Sequence, residues 1–335
     1  ARTTAPLSHR QHDSLASRID GPLGLAALTR NTTAESVEAE QPYASADRRF
    51  AIAMDGFLAN WEELRRDLQS RGARLRNRSD AELVLHAYAQ WGDDCAKRLD
   101  GEFAFVIADW RRRRFYGARD QLGLKPLFLA RSNGQFLIAS DIAAIVAGHA
   151  ERPEPNLEFL ACLAAGKVYS GEQTAWKGIC SLPHAHWMAC EGAEMVTQRY
   201  YALPEREPIR YRSDEEYAEH HRAELFEAVR RTSRSQVPLA FEVSGGLDSS
   251  ALFAVADTLQ RQGRLLAPEI RGYTLAGEPG TRAYELPYAR AVAEHVGRPI
   301  AEVPMFRPPR EWYAAQARAD LNVPSPTNGA MSINL

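Results

Sequence analysis

The chain has 335 residues, 45% of them apolar and 25% charged, with a formal net charge of −2. That length suits about two domains, and the composition is that of an ordinary globular protein. The near-zero charge gives no electrostatic basis for binding nucleic acid or an anionic membrane. No apolar run approaches the ~18 residues of a membrane span.

Four cysteines, Cys95, Cys162, Cys180 and Cys190, are scattered without CxxC or metal-ligand spacing. They read as free thiols in a reducing compartment, which places the protein in the cytoplasm. Nine histidines include His184 and His186, but no ligand set forms around them, so a metal held by protein groups alone is not expected.

In chain order, residues 1–50 alternate short apolar runs with turns. Residues 50–54 (FAIAM) read as a strand and Asp55–Gly56 as a turn. Residues 60–71 form a helix with Trp61, Leu64 and Leu68 on one face, stopped by Gly72. Residues 79–90 form a second helix, with Ser79 as N-cap and Glu82 at the capping-box position. A strand over 103–110, a solvated turn of four arginines and a strand over 115–119 make a hairpin. Strands follow at 125–129 and 135–140. Residues 1–145 thus read as an α+β layered domain, and the Gly/Pro-rich stretch 148–155 as a boundary.

A short helix covers 157–165, and a β-rich connection covers 166–204. Ser213, with Glu216 three residues on, opens a long helix to 231. Next comes the stretch 241–252, FEVSGGLDSSAL. An apolar strand precedes it and helical spacing follows, so 244–248 is a strand-to-helix turn. Adjacent glycines let the backbone approach a ligand closely, and the unpaired N–H groups of a helix start favour an anion. Ser244, Ser249 and Ser250 add hydroxyls, while Asp248 calls for a cation beside the anion. Pyrophosphate with Mg²⁺ fits that combination; Walker A and dinucleotide fingerprints are absent from the stretch. A strand over 269–275, a helix over 283–296 closed by Gly297, a strand over 300–303 and a helix over 311–319 complete the chain. The alternation specifies a parallel α/β sheet.

The segment 244–250 (SGGLDSS) resembles the PP-loop of ATP pyrophosphatases, and the whole order of motifs resembles the class B asparagine synthetase superfamily. The landmarks run through Gln41–Pro42, 55–64 (DGFLANWEEL), Ser79–Asp80, Trp91–Gly92, 99–105 (LDGEFAF), Asp109, 118–127 (ARDQLGLKPL), 178–186 and 200–203 to the PP-loop, then Glu285 with 289–297. The resemblance implies an N-terminal-nucleophile glutaminase-like αββα domain over 1–148, a connecting segment over 149–210, and a PP-loop synthetase domain over 211–335. The superfamily's later acid-rich loop and catalytic segment have no counterpart, so the C-terminal part of that domain is expected to be missing. The resemblance also implies ATP and Mg²⁺ as cofactors. Val243, Ser244, Gly245, Gly246, Leu247, Asp248, Ser249, Ser250 and Leu275 would bind ATP and pyrophosphate. Asp248 would be both the Mg²⁺ ligand and the catalytic residue, with Glu285 as an acidic position of unassigned role.

Departures from the family carry the functional expectation. The family's N-terminal cysteine is not seen: the chain starts at Ala1, although His9–Arg10 resembles a landmark that a longer segment precedes. The glutamine-holding NGE becomes Asp55-Gly56-Phe57, and the carboxylate-clamping arginine is replaced near Ala26–Ala27. Asp80 persists. Asp55, Gly56 and Asp80 therefore mark a relict glutamine site in an inactive glutaminase domain. An enzyme without its own ammonia supply takes its amine from the substrate. That, with the polar, Pro-rich 320–334 segment, favours a lasso-peptide macrolactam synthetase. It would act on a precursor peptide beside a leader-binding protein and a leader peptidase, as a homodimer or alone. A glutamine-hydrolysing asparagine synthetase, a β-lactam synthetase and a non-catalytic ATP-binding homologue are the alternatives.

Overall fold

The computed structural model describes residues 4–7, 12–167, 170–205, 207–281, 284–305 and 308–323. Ala1, the His9–Arg10 landmark and most of the 320–334 segment lie outside them. The chain divides into two compact units, Ala1–Pro204 with Ala315–Val323, and Glu205–Ala314 with Pro324–Leu335.

The first unit opens with a hairpin of β1 (Ser14–Asp20) and β2 (Leu23–Thr29). Then come β3 (Tyr43–Ala44), β4 (Phe50–Leu58), α1 (Trp61–Ser70) and α2 (Asp80–Trp91). They are followed by β5 (Gly101–Asp109), β6 (Arg114–Arg119), β7 (Phe128–Ser132), β8 (Gln135–Ala139), α3 (Ile142–Gly148) and α4 (Leu157–Ala164). Three strands, β9 (Ile179–Ser181), β10 (His186–Glu191) and β11 (Glu194–Arg199), come last. A six-stranded antiparallel sheet runs β11-β10-β6-β5-β4-β3, and a three-stranded sheet runs β8-β7-β9. Residues 149–210, read as a connection, thus supply one strand to the small sheet and two to the large one.

Period-two alternation on β4 and β5 builds the layers. Phe50, Ile52, Phe103, Phe105 and Ile107 pack under α1 and α2 with Leu64, Leu68 and Leu85. The residues between them, Ala51, Ala104, Val106 and Ala108, meet Leu127, Leu129 and Leu182 beside the small sheet. The other side of β7 and β8 packs on Ile142 and Ile145 of α3. Two sheets between helical layers give the expected αββα architecture. The layer facing the small sheet is built from the smaller side chains.

Three local expectations change. Asp55–Gly56 is not a turn; β4 runs through it, with Asp55 opposite Ala104 and Gly56 opposite Phe103. Gly56 manages this at φ +111°, pressed onto the Glu102 backbone. The arginine turn is solvated only in part: Arg114 is 7% exposed, because both its terminal nitrogens bond Asp93, at 2.7 and 2.8 Å. That pair holds the Arg114 guanidinium above its usual range. Ser213 makes no cap bond to the backbone of the helix Asp214–Thr232; instead Glu216 accepts from Arg212 N at 2.8 Å.

Ser79 does cap α2, accepting from Glu82 N at 3.2 Å. Glu82 is 1% exposed. Burial alone would raise its pKa, but hydrogen bonds from His86 and Arg76 more than offset this and bring it down to about 2. A carboxyl depressed in the folded state stabilises above its unfolded pKa and loses that contribution as pH falls through the folded one. The stability supplied by Glu82 is therefore full above about pH 5 and lost between there and about pH 2, on the order of 3 kcal/mol. Urea titrations of wild type and Glu82→Gln across that window should converge at the acid end.

The second unit is made of α5 (Asp214–Thr232), β12 (Leu239–Glu242), α6 (Leu247–Arg261), β13 (Ile270–Ala276), α7 (Leu286–Val296) and β14 (Ile300–Pro304); α8 (Arg310–Asp320) follows in sequence. The strands form a parallel sheet in the order β12-β13-β14, as the alternation specifies. Val243, Phe253, Ala256, Leu259 and Ile270 make its core with Val229 of α5.

Candidate functional site

The parallel sheet aims the C-terminal ends of its strands one way, and in open α/β sheets ligands bind at that edge. The 244–248 turn lies there. Val243, fully buried, anchors it by donating to Tyr273 O at 2.7 Å. The turn is braced by its own serines. Ser249 Oγ accepts from Ser244 N at 3.2 Å and lies 3.0 Å from Ser244 Oγ, and Ser244 Oγ accepts from Gly246 N at 3.2 Å. Gly246 is the N-cap of α6 and brings no side-chain cap. The helix begins at Leu247, two residues before the sequence spacing suggests, so Asp248 sits in its first turn. Leu247 is 91% exposed, and Asp248 is exposed too.

Gly245 adopts φ +85°, and a Cβ there would lie 2.3 Å from Tyr288 Cβ and 2.8 Å from Ala289 N. The turn thus lies against the first turns of α7. Glu285, the N-cap of α7, accepts from Tyr288 N and Ala289 N through its carbonyl, at 3.0 and 3.2 Å. The fold brings positions 245 and 285 to one edge across forty residues of sequence. Leu275 is half-buried on β13 opposite Val303, two residues past the Tyr273–Glu242 pair, at the same edge. Tyr288, 65% exposed, is a wall of this site that no motif singled out; its helical register with Glu285 was the available signal.

One polar atom here has no partner among the described residues: Ser250 Oγ is buried and makes no hydrogen bond. Buried hydroxyls are normally paired, so this one has a hydrogen bond left to make. Among the described residues no cluster of three His, Cys, Asp or Glu could hold a metal. A lone carboxylate still suits Mg²⁺, which takes one or two carboxylates and completes its octahedron with phosphates and water.

In the first unit, Asp55 sits at a cavity of about 340 Å³ between the two sheets. Ala26, Ala27, Ala53, Ala104, Val106 and Phe136 are among its walls. Lys125 Nζ lies 3.5 Å from Asp55 Oδ1, with the two side chains 30% and 50% exposed. A pair so exposed to water contributes about 0–1 kcal/mol. Asp80 is tied elsewhere, accepting from Leu58 N at 3.0 Å at the end of β4. Lys125 was missed by sequence reasoning, although it lies inside the 118–127 landmark. Arg119 and Asp120 of that landmark stiffen its loop: Arg119 donates to Lys125 O, Gly123 O and Leu182 O, and buried Asp120 accepts from Leu122, Leu124 and Lys125 N–H groups.

Residues 1–201 match the family model described as a glutamine amidotransferase domain, and residues 220–306 the one described as asparagine synthase. Glutamine-hydrolyzing asparagine synthetase 3 of Bacillus subtilis is 34% identical over 208 residues, 62% of this chain and 34% of that protein. Amidase chry2 of Gibberella zeae is 28% identical over 86% of this chain and 45% of its own length. Among solved structures, the glutamine phosphoribosylpyrophosphate amidotransferase of B. subtilis aligns at 15% identity and TM-score 0.39, over 83% of this chain and 76% of that one. This chain spans between a third and a half of the length of these two curated relatives. No described helix is long and apolar enough to cross a membrane.

Proposed function

The chain belongs to the class B asparagine synthetase superfamily, and from that premise we propose that it carries the ATP-activating site of an AMP-forming carbon–nitrogen ligase. The observation that carries this is the glycine-capped turn at 244–250, with its serine bracing and the spare hydroxyl of Ser250. A substrate carboxylate oxygen attacks the α-phosphorus of ATP, the bond to the β-phosphate oxygen breaks, and pyrophosphate leaves. An amine nitrogen then attacks the acyl carbon, loses a proton, and AMP leaves. The turn's N–H groups, Ser244, Ser249 and Ser250 hold the departing pyrophosphate; transfer of this kind depends on placement and charge stabilisation. Asp248 would hold Mg²⁺, which supplies charge neutralisation there. Leu275 borders the adenine through its backbone, and Glu285 stands at the α7 start beside the turn.

The amine comes from the substrate itself. Support for this is the state of the first unit, where Ala26–Ala27 and Phe57 stand in place of a clamping arginine and a carboxylate, and Asp55 is engaged by Lys125. Little is left to hold glutamine's charged head. Among substrates, a precursor peptide closed into a macrolactam fits best, in the cytoplasm and beside proteins that bind and cut its leader. Mass spectrometry of such a peptide co-expressed with the full-length protein tests the reading. Loss of one water with ring formation supports it; an unchanged mass, or amidation of a free side chain by ammonia, contradicts it.

Ser250→Ala separates binding from folding. The hydroxyl it removes has no partner among the described residues, so the unfolding midpoint should not fall. ATP affinity, measured by calorimetry, should fall about tenfold.

A further inference from the structure

We propose that Tyr288 is a pyrophosphate-binding residue, its hydroxyl donating a hydrogen bond to the pyrophosphate held at the 244–250 turn. The proposal deepens the reading of that turn and rests on it.

The turn brings no positive side chain of its own: the stretch 241–252 contains neither lysine nor arginine. Ser244 Oγ and Ser249 Oγ lie 3.0 Å apart and each accepts a backbone N–H, so part of their hydrogen-bonding capacity goes into bracing. Four arginines of the second unit are engaged with carboxylates, Arg261 and Arg298 with Asp257, Arg271 with Glu269 and Arg290 with Glu302. A departing pyrophosphate gathers negative charge, and donors already in place stabilise it. Besides Mg²⁺, the turn offers the first N–H groups of α6 and the Ser250 hydroxyl. One more donor at the rim strengthens that set.

Tyr288 has the placement for it. Its Cβ lies against Gly245, 2.3 Å from where a Cβ of that residue would stand, so the base of the side chain is fixed at the middle of the turn. The rest is not packed into the fold. The residue is 65% exposed, and its hydroxyl makes no hydrogen bond among the described residues. Helix stability gives no reason for a tyrosine here. Tyr288 is the third residue of α7, after the N-cap Glu285, where a glutamate or glutamine serves the helix start better. A carboxylate at that point would repel pyrophosphate, whereas a phenol supplies a donor without a negative charge. The phenol keeps its proton throughout; it binds the leaving group and transfers nothing.

Calorimetry with Mg²⁺–pyrophosphate and with AMP on the full-length protein tests this in wild type, Tyr288→Phe and Ser250→Ala. Tyr288→Phe removes one oxygen and keeps both the ring and the contact with Gly245, so the melting temperature should hold. The expected result is a loss of about tenfold in pyrophosphate affinity, while the affinity for AMP, which has no β-phosphate, is the same in wild type and Tyr288→Phe. In ATP–pyrophosphate exchange the KM for pyrophosphate rises by the same factor. Equal pyrophosphate affinity in wild type and Tyr288→Phe overturns the proposal, and a loss in Ser250→Ala alone then leaves the reading of the turn standing. A matching loss of AMP affinity in Tyr288→Phe also overturns it, because the change then disturbs the site as a whole. No binding of pyrophosphate by the wild type overturns both the proposal and the reading of the turn.

Discussion

Gly245→Ala should reduce carboxylate-dependent ATP–pyrophosphate exchange by about a hundredfold, with the second unit still folded. The position is constrained twice. Its φ of +85° is one that side chains rarely adopt, and the added methyl would meet Tyr288 Cβ at 2.3 Å and Ala289 N at 2.8 Å. The turn must then move away from α7, carrying Ser244, Gly246 and the start of α6 with it, because their hydrogen bonds form one braced unit. A shift of about 1 Å at a site that works by placement costs a rate factor of that size. Gly246→Ala is the contrast: its φ is −70° and the nearest atom to an added Cβ is the movable Ser244 Oγ at 3.3 Å. It should cost far less, and steady-state exchange assays on the two variants would order them.

Gly56→Ala should destabilise the first unit by about 4 kcal/mol or more, read as a shift in its urea unfolding midpoint. The added methyl would lie 1.9 Å from Glu102 O and 2.8 Å from Glu102 C, both backbone atoms, at a φ of +111°. No side chain can swing aside to relieve that, so β4 and β5 must separate where Gly56 faces Phe103. The same strand pair carries Phe103, Phe105 and Ile52 of the main core, and it presents Asp55 to the cavity. Loss of pairing there therefore reaches both stability and site.

Much of this was legible in the sequence. The serine–glycine turn announced itself because its residue types and its strand-to-helix context agree. The layers of the first unit are written in FAIAM and FAFVIA, where large and small residues alternate. Other features were not legible, for identifiable reasons. Asp55–Gly56 looks like a turn because Asp-Gly usually is one; only the opposing Glu102 backbone makes it strand. Arg114 reads as one of four equivalent arginines until the fold brings Asp93 to it. The β1–β2 hairpin has an outer strand with Leu15 and Ile19 exposed, which blurs its period. Helix α3 packs an unbroken apolar run, Ile142 to Val146, that carries no amphipathic signal. Contacts between positions such as 245 and 288, or 55 and 125, exist only after folding.

We propose that the 244–250 turn activates a carboxylate with ATP. The most direct test is ATP–pyrophosphate exchange by the full-length protein in the presence of its peptide, compared with Asp248→Ala. Carboxylate-dependent exchange in the wild type, abolished in the variant, is the predicted result. Full exchange in Asp248→Ala, or none in the wild type with any carboxylate, would contradict it.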